Sequence, residues 1–274
     1  MSIMAKKPRV VVFVQARMEN TRLPGKIMRP ILDKPVLLHH LPRIRRAKMV
    51  DEVVVITTTH NAEDPIAELC KRNNIPFYRG SELDLLDRHY QAAKEFQADF
   101  VVKIPSDSPL TDPKIVDEVI GLWQSNSDRY DYVSNYHPPT FPDGLDVEGS
   151  TFGALEIAWQ EAQKPHEREH TFPFIWDQPT RFRIGNVTNP RGDMFLTHRW
   201  TLDYEEDFQF MKEVFEYFKD EPEFSTDDVL ELLKVRPEIS ELNKKYNGVN
   251  WYRNVKGELK TVGEELYKDE SEEN

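Results

Sequence analysis

Short apolar runs rich in β-branched residues alternate with amphipathic helical stretches through the first half of the chain. That alternation constrains the fold more than any other feature. Residues 9–14, 52–58 and 100–104 are Val-, Ile- and Phe-rich runs of strand length. Between and around them, residues 35–48, 64–73 and 83–96 space their apolar side chains as helices do, with Pro42 a local flaw in the first. Residues 76–78 read as a short strand. Asp112 caps a helix that begins at Pro113 and reaches Gln124. No hairpin signal joins the strands, so they are expected to lie parallel with helical, right-handed crossovers. The predicted class is α/β, a mostly parallel central sheet flanked by helices.

The second half changes character. Residues 130–148 are aromatic, Pro-rich and loop-like, 154–162 and 167–176 look helical, and 181–187 and 198–202 look strand-like. Residues 206–218 and 227–235 are amphipathic helices, the second capped by Ser225 or Thr226. With 39% hydrophobic residues in 274, the chain can bury one large core. It contains no apolar run of the ~18–20 residues a membrane helix needs. Nor does its N-terminus have the pattern of a secretory leader, so a soluble cytoplasmic protein is expected. Cys70 stands alone, which excludes an intramolecular disulfide framework and a Cys-rich zinc site. A net charge of −12 argues against nucleic-acid binding. Yet residues 1–50 hold twelve Lys and Arg against two acids, the footprint of a local anion site.

The segment Gln15-Ala16-Arg17-Met18-Glu19-Asn20-Thr21-Arg22-Leu23-Pro24-Gly25-Lys26 follows the first strand. In open α/β sheets, ligands sit outside the carboxyl ends of strands, where this loop must lie. Three cations in ten residues, interleaved with Thr, Asn and backbone amides, suit a polyphosphate. The segment is not a Walker loop, because Ile27 follows Lys26, and the chain has no G-x-G-x-x-G. Lys26 is expected to be a loop charge of little packing value. Asp107 and Asp203 follow the third buried strand and the 198–202 run. If those two runs are neighbours, both carboxylates reach the same rim, and such a pair suits Mg²⁺ shared with phosphate oxygens. Asp143, Asp146 and Glu148, near Asn135 and His137, form a polar, aromatic-flanked loop suited to hydroxyl-rich ligands. His166-Glu167-Arg168-Glu169-His170 matches H-E-x-x-H formally, but Pro165 and the charged residues between the two His argue against zinc.

The loop resembles the A-R-x(4)-R-L-P-x-K signature of the CTP-using sugar-activating enzymes. These are the CMP-Kdo and CMP-N-acylneuraminate synthetases and, nearest, the spore-coat polysaccharide biosynthesis F-type proteins. Arg79-Gly80-Ser81-Glu82 with Asp84, Leu86, Asp87 and Arg88 is similar to the family's nucleotide-side segment. Residues 142–148, 167–170 and 199–207 are similar to the F-type subgroup, so the likeness spans about 9–218.

The resemblance implies a nucleotide-diphospho-sugar transferase-like fold and a Mg²⁺-dependent cytidylyltransferase that activates a sugar acid or phosphorylated polyol with CTP for polysaccharide synthesis. Arg17, Arg22 and Lys26 would act on the triphosphate, with Ala16, Thr21, Ser81, Arg88, Ser106 and Asp107 on the nucleotide. Relatives usually have Gly where this chain has Ser106. Asp107 and Asp203 would hold the metal, and Asn135, Asp143, Asp146, Glu148, Arg168 and His170 would meet the acceptor. The expected organisation is one domain over 1–262. It comprises a nucleotide part at 8–129, a smaller mixed α/β acceptor and dimer part at 130–203, and C-terminal helices at 204–262. A flexible acidic tail at 263–274 would follow. A homodimer is expected, with Trp159, Phe172, Phe174, Ile175 and Trp176 as its apolar patch or, alternatively, as a small internal core. The competing functions are a nucleotide-sugar-dependent glycosyltransferase, against which the lack of any Asp-x-Asp counts, and a catalytically silent binding homologue.

Overall fold

The structure is a computed structural model that describes residues 7–126 and 128–268. Its strands are β1 (Val10–Gln15), β2 (Pro30–Ile31), β3 (Lys34–Pro35), β4 (Glu52–Thr58), β5 (Phe77–Gly80), β6 (Phe100–Pro105), β7 (Tyr132–Ser134), β8 (Glu148–Thr151) and β9 (Ile184–Asn186). Its helices are α1 (Val36–Arg45), α2 (Asp64–Arg72), α3 (Leu85–Glu95), α4 (Pro113–Gln124), α5 (Phe152–Glu161), α6 (Pro165–Glu169), α7 (Pro173–Trp176), α8 (Glu205–Tyr217), α9 (Thr226–Val235) and α10 (Pro237–Glu241).

Seven strands form one sheet in the order β5-β4-β1-β6-β8-β7-β9. The four from the first half are parallel, and β8 runs antiparallel between β6 and β7. The strands of the second half therefore extend the same sheet. The pleat of β1 sorts its side chains: Val10, Val12 and Val14 join the core beneath α1, α2, α4, α8 and α9, while Val11 and Phe13 join the core beneath α3, α5 and α7. A strand buried on both faces must be apolar at every position, which explains the uninterrupted VVVFV. Asp112 and Ser225 cap α4 and α9 as expected.

Three expectations change. The 198–202 run forms no regular strand. It is extended chain tied by a parallel bridge between Asp143 and Arg199, and the Leu202 amide donates to the Asp107 carbonyl at 2.9 Å. Of the aromatic set, Phe172, Phe174, Ile175 and Trp176 are buried in the chain's own core and Trp159 is partly buried against it, which is the internal-core alternative rather than a patch. Residues 263–268, expected as part of a flexible tail, are tied to the fold. Glu264–Leu266 is a 3-10 turn, the Asn250 side chain donates to the Leu266 carbonyl at 2.7 Å, and the Lys268 amide donates to Gly248 at 2.8 Å. The remainder of the tail, 269–274, lies outside the described residues. Among the described residues, no helix is long and apolar enough to cross a membrane.

Candidate active site

Gln15 pairs with Pro105 in the β1–β6 register, so the chain leaves both strands on one edge of the sheet, side by side. The basic loop departs from β1 and the Ser106-Asp107-Ser108 turn from β6. Gly25, at φ 66°, turns the loop back so that Lys26 enters a short 3-10 turn pointing under the cleft. Lys26 is therefore buried, contrary to the expectation of a loop charge of little packing value. Its ammonium donates to Asp107 Oδ2 and to Asp203 Oδ1, both at 2.8 Å. The two aspartates thus meet, but through Lys26 and the Leu202–Asp107 backbone bond rather than through adjacent strands.

Further cations and a buried acid fix this pair. Arg22 reaches Asp203 Oδ2 at 2.8 Å. Arg199, almost wholly buried, forks onto Asp207 at 2.9 and 3.0 Å, reaches Asp143 at 3.3 Å, and lies 3.7 Å from Asp203. Asp207, on the first turn of α8, accepts the backbone amides of Asp203 and Tyr204, so it sets the start of that helix and the position of Asp203 together. Arg199 and Asp207 bound the 199–207 segment that resembles the F-type subgroup, but from sequence alone they had no assigned role. Their spacing with Asp203, each four residues from the next, was the available signal.

The electrostatics follow from these pairs. Burial opposes charge on both Lys26 and Asp203. Asp107 and Asp203 overcome it for Lys26, and Lys26 and Arg22 overcome it for Asp203, holding the ammonium above its ordinary value and the Asp203 carboxyl below its own. Burial pushes Asp143 up to about 7 against the pull of Arg199, with Asp203 and Asp207 adding to the rise.

The cleft over this floor has two adjoining lobes. The outer lobe, about 500 Å³, is lined by Arg17, Asn20, Lys26, Glu82, Arg88, Ser106 and Asp107. Arg17 is exposed there, and among the described residues no carboxylate pairs with it. Arg88 is buried and donates to the Ser81 and Glu82 carbonyls at 2.8 and 3.2 Å, which fixes the loop before α3. Burial and the nearby Arg17 lower it to about 10. The Ser81 hydroxyl accepts the Asp84 amide, Thr21 is exposed away from both lobes, and Ala16 is buried with its amide on Ile56.

The inner lobe, about 330 Å³, is lined by Lys103, Tyr136, Asp143, Asp146, Glu148, His170 and Asp203. Residues 249–254 form another wall, Trp251 among them, which sequence reasoning missed because the segment carries no motif. Lys103 donates to Glu148 at 2.7 Å and to the His170 carbonyl at 3.0 Å, and the Tyr132 hydroxyl donates to Glu148 at 2.7 Å. Although Glu148 is buried, Lys103 and His137 hold its carboxyl well below the usual range. His170 stacks on Trp251, ring centroids 3.9 Å apart, and burial drops it to about 3, so it is neutral at pH 7.

Two expected acceptor contacts are occupied elsewhere. Asn135 spends its amide on the Leu145 carbonyl and the Val147 amide, bracing the 143–148 loop from behind. Arg168 lines the outer lobe and donates to Asp84 and, at 2.7 Å, to the Trp159 carbonyl. The H-E-x-x-H histidines diverge, His166 onto Glu258 and His170 onto Trp251, and among the described residues no cluster of three or more metal-ligating side chains occurs.

The family described as cytidylyltransferase matches residues 11–250. An uncharacterized protein of Methanocaldococcus jannaschii is 32% identical over 235 residues, covering 86% of this chain and 94% of that one. The spore coat polysaccharide biosynthesis protein SpsF of Bacillus subtilis is 25% identical, covering 84% and 96%. A solved cytidylyltransferase from Leptospira borgpetersenii superposes with a TM-score of 0.80 at 35% identity, covering 85% of this chain and 97% of that one.

Proposed function

The chain belongs to the cytidylyltransferase family and is a nucleotidyltransferase, and we propose that it transfers the cytidylyl group of CTP to an oxygen of a sugar acid or phosphorylated polyol. The acceptor oxygen attacks the α-phosphorus of CTP, the bond to the β-phosphate oxygen breaks, and pyrophosphate leaves. The observation that carries this reading is the joining of Asp107 and Asp203 on one buried ammonium beneath a cleft edged by Arg17 and Arg22. Fixed charges of this kind stabilise the charge that develops on transferring phosphates, and they do so without reorganising.

In this reading Arg17 and Arg22 bind triphosphate oxygens, and Lys26 sets the spacing of the two carboxylates. Arg88 holds the Ser81–Glu82 carbonyls against the nucleotide, with Ser106 at the cleft floor. The inner lobe orients the acceptor. Asp107 and Asp203 are hard oxygen donors whose spacing is fixed by a shared cation, a donor set that fits Mg²⁺. When bound, Mg²⁺ would neutralise phosphate charge and favour in-line geometry. The likeness to SpsF supports a role in surface polysaccharide synthesis, on the cytoplasmic side where CTP is available.

A pyrophosphate-release screen tests the reading, crossing four nucleoside triphosphates with sugar acids and polyol or sugar phosphates, with and without Mg²⁺. Release with CTP, Mg²⁺ and one acceptor class is expected. No release from CTP with any acceptor would overturn it; a parallel arm offers nucleotide sugars in place of the triphosphates, and their consumption without pyrophosphate would indicate glycosyl transfer instead.

A further inference from the structure

The wall of the inner lobe formed by residues 249–254 is the first part of a longer strap that runs to residue 261 and is held at both ends. At its start, the buried Arg199 guanidinium donates to the Val249 carbonyl at 2.9 Å. At its far end, one carboxylate oxygen of Asp177 accepts three hydrogen bonds. They come from the Lys260 amide at 2.8 Å and from the Thr261 amide and hydroxyl, both at 2.9 Å. Between these anchors, Tyr252, Val255 and Leu259 are buried in the core beneath α3, α5 and α7. Asp177 is itself buried, follows directly on α7, and lines neither lobe of the cleft.

A carboxylate is tolerated in such a place only where hydrogen bonds replace its lost hydration. Here all three come from the strap, so Asp177 joins the strap to α7. That helix also supports the wall from behind. The Trp176 ring at its end stacks on His137, centroids 3.9 Å apart, and meets the Trp251 ring edge-on at 6.4 Å. Trp251 in turn stacks on His170, and the Tyr252 hydroxyl shares a hydrogen bond with His137 Nδ1 at 3.2 Å. The strap lines the inner lobe, and none of its residues lines the outer one. Releasing its far end would therefore reshape the inner lobe and leave the triphosphate side in place. A displacement of about 1 Å in a group that positions a substrate can cost about 10²-fold in rate.

We propose that Asp177 is a positioning residue for the acceptor: by latching residues 260 and 261 to the end of α7, it holds the 249–254 wall, with Trp251 on it, at the spacing the acceptor needs. This rests on the reading of the inner lobe as the acceptor site.

The test is steady-state pyrophosphate release by the full chain, varying CTP and each acceptor of the screen in turn, N-acetylneuraminate and glycerol 3-phosphate among them. Asp177→Ala removes the latch, whereas Asp177→Asn keeps an oxygen that can accept the same three hydrogen bonds. Asp177→Ala is expected to raise the acceptor KM at least about tenfold while the CTP KM stays within about twofold. Asp177→Asn is expected to bring the acceptor KM back to within about threefold of the wild type. Thr261→Val removes one of the three bonds from the strap side and should raise the acceptor KM about threefold, which decides the matter if Asp177→Ala does not fold. Trypsin reads the latch without turnover, since Arg253, Lys256 and Lys260 lie in the strap, and Asp177→Ala should be cut there at least about tenfold faster. An unchanged acceptor KM, an equal rise in both KM values, no recovery in Asp177→Asn, or no faster cleavage would overturn the proposal. If the wild type releases no pyrophosphate with any acceptor, the transfer reading falls and this proposal with it. If the wild type turns over and the acceptor KM ignores Asp177, only the positioning role falls.

Discussion

Replacing Lys26 with methionine keeps most of the side-chain length and removes the charge that joins Asp107 to Asp203. Removing one partner of a buried ion pair costs about 3–5 kcal/mol, because the other charge stays behind uncompensated. Two features of the site reduce that here. Asp203 keeps Arg22 at 2.8 Å and Arg199 at 3.7 Å, and the Asp107 side chain, 28% exposed, can take up water. A loss of about 2–3 kcal/mol follows, or a fall in Tm of about 4–12 °C for a chain of this size. The pH dependence has a definite sign. The raised Lys26 pKa contributes stability that is complete below its unfolded value and is lost as pH rises through the folded one. The depressed Asp203 pKa contributes stability that is present above the ordinary carboxylate range and is lost as pH falls through its folded value. The gap between wild type and Lys26→Met should therefore be flat from about pH 5 to about pH 10 and close on either side. Turnover should fall about 10²–10³-fold, as when one preorganised charge is removed from a phosphate or oxyanion site. Thermal melts across pH and a pyrophosphate-release assay measure both effects. A variant that melts like the wild type and turns over at its rate would refute the clamp.

Asp107→Asn and Asp203→Asn should each weaken activation by Mg²⁺, and the double variant should lose little more than the worse single one, because both act through one shared cation site; additive losses in Mg²⁺ titrations would argue for separate roles. Gly144→Ala should cost at least about 3 kcal/mol in denaturant melts, since φ there is +103° and a Cβ would lie 2.4 Å from the Thr201 amide nitrogen and the Trp200 carbonyl carbon. Gly153→Ala, with open space around it, should change stability by less than about 1 kcal/mol and serves as the control. Glu148→Gln should be most damaging at neutral pH, because the depressed Glu148 carboxyl contributes stability above the ordinary carboxylate range that disappears as pH falls through its folded value; a gap from wild type that widens in acid would contradict the Lys103 pairing.

The sheet was legible in the sequence because strands buried on both faces must be apolar throughout, and their alternation with helical spacing leaves little choice but parallel pairing. The basic loop was legible because parallel strands end on one edge and this loop follows β1, an interior strand. The placement of Asp203 was half legible. Its residue type and its position after an extended run could be read, but the run is held by one bridge and one backbone bond to Asp107, and neither leaves a periodic trace. Asn135 and Arg168 show the limit of reading residue types. An amide or a guanidinium suits a ligand and a backbone strut equally well, and only the Leu145, Val147, Asp84 and Trp159 partners tell which is which. The same ambiguity covered the aromatic run from Phe172 to Trp176, whose apolar side chains could have faced a second copy or an internal core. Burial decides such cases, and burial is a property of the whole chain. The 249–254 wall comes back to the cleft from the far end of the sequence to set Trp251 against His170.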